Sequence, residues 1–100
     1  MNFKVPQSIM VCGRTVVVVV SHDLAVTTGN MGEALYQPPT ITVDANLPPS
    51  MVLEVFMHEV LHHIDEIQGG QFGFNGEEDS EQKCKALAIA LAGVLDQLSP

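Results

Sequence analysis

Residues 51–68 read MVLEVFMHEVLHHIDEIQ, and the reading of this stretch decides the fold. Asn46-Leu47-Pro48-Pro49-Ser50 precedes it and Gly69-Gly70 follows it. The prolines stop the preceding element, Ser50 stands where a cap is wanted, and glycine is the usual residue just past a helix C-terminus. The spacing predicts a helix over residues 51–68, with Val55, Val60, Leu61 and Ile64 turning it towards the core.

Inside that helix lies His58-Glu59-Val60-Leu61-His62. Four residues turn through about 400°, so both histidines project from one face, a turn apart. Two imidazoles so placed bind one zinc ion. Glu59 falls about 100° round from His58. From there a carboxylate leans over the metal without ligating it, and takes a proton from water the metal has acidified. A buried helix carrying these three groups for no purpose would leave polar atoms unpaired, at a cost of several kcal/mol. A third protein ligand is needed if one position is to stay open for water. Asp65 faces the same way, but its short side chain on the same helix suits it better to accept the second ring N–H of a ligand histidine.

Working outward to the C-terminal side, residues 71–76 carry Phe72 and Phe74 and read as a loop folded back over the core. A second helix follows, with Asn75 or Asp79 as its cap. Cys84, Leu87, Ala88, Leu91, Val94, Leu95 and Leu98 recur at spacings of three and four, which predicts one buried stripe. Glu81 is in register with that stripe and is therefore the better candidate for the third ligand. Glu77 lies a turn earlier on the same side, whereas Glu78 is rotated away. As solvated carboxylates, Glu77, Glu78 and Asp79 also suit the positive end of a helix dipole. Cys84 is expected to behave as a small buried hydrophobe.

On the N-terminal side, residues 8–12 and 15–20 are rich in β-branched residues and flank Gly13-Arg14, the signature of a hairpin. Residues 16–20 are all valine, so both faces of that strand are expected to be covered. Residues 21–31 read as loop, with His22 as punctuation, and residues 32–36 and 40–44 as two more short strands. Gln37-Pro38-Pro39 joins them, which puts the connection at a sheet edge because proline cannot donate to a ladder. The expected fold class is α+β: a short antiparallel N-terminal sheet of three or four strands followed by two helices.

The chain has 100 residues, enough for one domain over residues 1–100 that buries roughly two-thirds of its unfolded surface. Four Lys+Arg stand against twelve Asp+Glu, a formal net charge of −8 that argues against nucleic-acid binding. No apolar run approaches the roughly 20 residues that a membrane span needs. With no secretory leader at MNFKVPQSIM, a cytoplasmic location is expected. Cys12 and Cys84 make neither a CxxC pair nor a disulfide framework.

On these residues the chain resembles the zincin metallopeptidases of the gluzincin type. It is most similar to the small single-domain minigluzincins and to related phage-encoded proteins and ImmA/IrrE-like peptidases. Their second helix carries Glu-x-x-Ala-Asn-x-Phe-Ala. Here Glu81-Gln82-Lys83-Cys84-Lys85-Ala86-Leu87-Ala88 has that spacing, with Cys84 for the small residue, Lys85 for Asn and Leu87 for the aromatic. The resemblance implies a Zn2+ site of His58, His62 and Glu81, with Glu59 as general base and an extended peptide or unfolded protein as substrate. It also implies that residues 40–44 are an edge strand along which such a peptide pairs. Larger gluzincins draw an oxyanion-stabilising His or Tyr from an added domain; here Tyr36, the single tyrosine, is the candidate. His63 points off the metal face and is expected to be partly exposed. The alternative function is a zinc-stabilised, non-catalytic binding or regulatory protein of the same fold. Retention of Glu59 favours hydrolysis, since a purely structural site does not need it.

Overall fold

The computed structural model describes residues 3–76 and 79–98. Strand β1 is Ser8–Val11, β2 Arg14–Ser21, β3 Gly32–Tyr36 and β4 Pro39–Asp44; helix α1 is Leu24–Thr28, α2 Pro49–Ile67 and α3 Ser80–Leu98. The class is α+β, with the sheet first and the two long helices after it. The hairpin turn falls on Cys12-Gly13, one residue earlier than predicted. Both residues have positive φ, at 50° and 80°, as a twist-matched two-residue turn requires.

The sheet order is β1-β2-β4-β3, which corrects two expectations. First, the sheet is mixed: β1 and β3 run antiparallel to their neighbours, but β2 and β4 are parallel, with Val18 opposite Ile41. A parallel pair cannot be joined by a tight turn, so the chain must cross over between them. The segment predicted as loop supplies part of that crossover, and contains α1. Second, β4 is interior and β3 is the edge, so residues 40–44 offer no free edge for a peptide.

Helix α2 lies across one face of the sheet. Val16, Val18, Ile41 and Val43 from the strands meet Val55, Phe56 and Val60 from the helix. Full burial of each such side chain contributes about 1.5–3 kcal/mol. Val17 and Val19, on the other face, are half exposed, so β2 is covered on one side only. Helix α2 starts at Pro49 rather than after a Ser50 cap; its N-cap, Pro48, makes no side-chain cap bond. Proline's fixed φ is already helical at the first position, where no N–H is needed. The helix ends at Ile67, one residue before the predicted end, and the expected glycine stop follows, with Gly69 and Gly70 at positive φ.

Helix α3 packs on α2 through Cys84 and Ala88, which meet Leu61, with Leu91 against the same cluster; Ala92 is also buried, while Leu87, Val94, Leu95 and Leu98 of the predicted stripe are exposed. Between the two helices the loop returns Phe74 to a cluster with Leu61, Cys84 and Ala88, as expected; Phe72 stays half exposed and stacks on it. Among the described residues no helix is long and apolar enough to cross a membrane.

Candidate metal centre

The one-turn spacing of His58 and His62 brings their Nε2 atoms to 3.1 Å from each other. From α3, Glu81 reaches across to both: Oε2 lies 3.1 Å from His58 Nε2 and Oε1 2.7 Å from His62 Nε2. The register argument for Glu81 therefore delivers its carboxylate to the histidine pair. Glu77 and Glu78, the neighbouring candidates, fall outside the described residues. Cys84, one turn further along α3, forms with His58 and His62 a group whose donor atoms all lie within 4.8 Å of one another, close enough to share a metal ion. Its thiol donates to the carbonyl of His58 at 3.4 Å.

The hydrogen bonds around His62 fix which of its nitrogens faces this centre. Asn75 Nδ2 donates to the His62 carbonyl at 3.1 Å and to Asp65 Oδ2 at 3.2 Å. Its Oδ1 is therefore the acceptor, taking His62 Nδ1–H at 2.7 Å and the Tyr36 hydroxyl at 2.8 Å. With Nδ1–H so committed, Nε2 is left facing a carboxylate oxygen 2.7 Å away. A proton on Nε2 or a metal ion held by both groups satisfies so short a contact. Two imidazole nitrogens and a carboxylate oxygen are a zinc donor set, whose members sit about 3.3 Å apart around a tetrahedral ion. The residues present fit such an ion.

Asp65 is fully buried, but it does not touch a histidine ring. Its carboxylate accepts the backbone N–H groups of Phe72 at 2.7 Å and of Phe74 and Asn75 at 3.1 Å. It ties down the loop that carries Asn75, so the amide stands where the aspartate was expected. Asn75 is the site residue that the sequence reading missed, having been taken as a possible helix cap. Its pattern carries no signal, because the contact to His62 exists only once the loop has folded back.

Glu59 is 7% exposed and sits beside β3, so close that a Cβ built on Gly32 would come within 2.8 Å of its Oε2. Burial, helped by the nearby Glu81 and Glu33 carboxylates, pushes its carboxyl up to about 8. Burial also lowers the His58 pKa, a shift that Glu81 opposes. Tyr36 is pushed up to about 12, chiefly by burial and then by Glu66 and Glu59. Its ring meets that of His63 edge-on, and its hydroxyl is committed to Asn75. His63 is 1% exposed, not partly exposed, with Nε2–H donating to the Thr40 carbonyl at 3.0 Å. Facing away from the metal pair points it into the sheet, not into solvent.

Two cavities open on this centre. One, of about 470 Å3, is bordered by Glu33, Tyr36 and Asn75 as well as by the histidine pair. The other, of about 280 Å3, runs past Met31, Met51, Val55 and Ile89. Glu59, His58 and Glu81 line both, so the candidate chemistry sits where the two lobes meet. Comparison with protein-family models, with curated proteins and with solved structures returns no match to this chain.

Proposed function

We propose that the protein is a zinc-dependent peptidase whose ion is held by His58, His62 and Glu81. One observation carries the reading: both Nε2 atoms and the Glu81 carboxylate converge within 3.1 Å beside the buried carboxyl of Glu59. Zinc held by that donor set would supply an acidified water molecule and a Lewis acid for the peptide carbonyl. Glu59 accepts the water's proton and passes it to the leaving amine. Its buried position makes it a strong base once ionised, and a cation nearby favours the ionised form. Asn75 holds His62 in the tautomer that presents a lone pair. The free edge of β3 borders the cleft, so an extended chain can add there as a further strand, with its side chains in the two lobes.

The test is Glu59→Gln, which keeps the shape of the side chain and removes its basicity. Zinc content should stay at one per chain, whereas cleavage of unfolded protein should fall by about a hundredfold or more. The commitment of the Tyr36 hydroxyl to Asn75 supports the second reading, a zinc-stabilised binding protein, because that hydroxyl is then unavailable to an oxyanion. A wild type that holds zinc yet cleaves no peptide in a broad library establishes that reading instead.

A further inference from the structure

We infer that Cys84 is a fourth protein ligand to the ion held at His58 and His62, a sulfur that fills the position water needs for hydrolysis. The inference rests on the metal site proposed above and adds a ligand to it. Helix α3 presents a carboxylate and a thiol one turn apart, Glu81 and Cys84, to the two imidazoles one turn apart on α2. The thiol is fully buried, and its sulfur lies within 4.8 Å of both histidine donor atoms. Nitrogen and sulfur around one tetrahedral zinc are about 3.6 Å apart.

Cys84 also packs in the cluster of Leu61, Phe74 and Ala88, so its burial by itself does not assign the sulfur to the metal; its distance to the two histidines does. The only hydrogen-bond partner of the thiol among the described residues is the His58 carbonyl, already paired within its helix, so the bond can be given up at little cost. When sulfur binds, the S–H bond breaks, its proton leaves to solvent and a sulfur–metal bond forms. Two imidazoles, a carboxylate and a thiolate then close the tetrahedron. Structural zinc sites are closed in this way, whereas catalytic ones keep a position open. With Cys84 bound the centre stores its ion without hydrolysing, which favours the zinc-stabilised binding protein over the peptidase. Sulfur also biases the site towards thiophilic ions such as Cd2+.

Cobalt(II) titration of the full chain tests this by absorption alone. Wild type should show the visible bands of four-coordinate cobalt together with a sulfur-to-cobalt charge-transfer band in the near ultraviolet. The charge-transfer band should persist in Cys12→Ser, which removes the exposed thiol, and vanish in Cys84→Ala and Cys84→Ser. In Cys84→Ala the preference for Cd2+ over Zn2+ should fall. Visible bands without charge transfer in wild type overturn the sulfur ligand and leave the metal site standing. No cobalt uptake by wild type overturns both. The wild-type spectrum decides by itself, so a Cys84 variant that fails to fold does not shelter the proposal.

Discussion

The two nitrogens of His62 have different tasks, and Asn75 assigns them. Its amide oxygen takes Nδ1–H at 2.7 Å, while its amide nitrogen is held by the His62 carbonyl and Asp65, a network that favours this orientation of the amide. Asn75→Ala removes the acceptor and frees the tautomer. Zinc affinity should drop by roughly 10–100-fold, measured by competition with a chromophoric chelator, with the fold retained. Gly32 acts at the same scale by what it lacks. A Cβ there would meet Glu59 Oε2 at 2.8 Å and Val55 Cγ1 at 2.9 Å. Gly32→Ala should therefore cost about 1–3 kcal/mol in urea unfolding. It should also reduce peptide cleavage more than zinc binding, because it displaces the base and not the histidines.

Helix α3 shows how an element can be legible in outline and misread in detail. Periodicity located it and put Glu81 on the inward side. It could not say which of the apolar residues would face α2. Large side chains in the seam would hold the helices apart. Cys84, Ala88 and Ala92 let them approach, and that approach brings Glu81 Oε1 to 2.7 Å from His62. Ala88→Leu should overpack the seam, costing about 1–3 kcal/mol and weakening zinc binding. Ala90→Leu, on the exposed side of the helix, should change neither by more than about 0.5 kcal/mol. Equal losses in the two variants would show that the seam does not set the position of the glutamate.

Across the whole molecule, the centre is where separate parts of the chain meet: β3 supplies Gly32 and Tyr36, α2 the histidines and Glu59, the following loop Asn75, and α3 Glu81 and Cys84. A ligand that binds only this assembled state stabilises all of it. At a hundredfold excess over its Kd, zinc should add about 2.7 kcal/mol. In a domain of this size that raises Tm by on the order of 10 °C. A chelator should reverse the shift, and His58→Ala should show none, in calorimetric scans at several zinc concentrations. The sign of the net charge, −8, works in the same direction, since a dication relieves repulsion among Glu33, Glu59 and Glu81.

What the sequence determined by itself is what short-range chemistry controls. The His58–His62 spacing, the glycine stop after α2, the hairpin at Gly13 and the α+β order all depend on residues within a few positions of one another. The approach of Glu81 to the histidine pair was legible for the same reason, since one helix period sets its side of α3, although its side chain stays largely exposed. The tertiary structure alone decided the parallel pairing of β2 with β4, which makes β3 the edge beside the cleft. It also decided the burial of His63 beneath Thr40, and the passing of the histidine-orienting role from Asp65 to Asn75. Each of these joins residues that the chain separates by a strand, a helix or a loop. Periodicity states which face of an element is apolar; only packing states what covers that face, and which polar atom ends up within hydrogen-bonding reach.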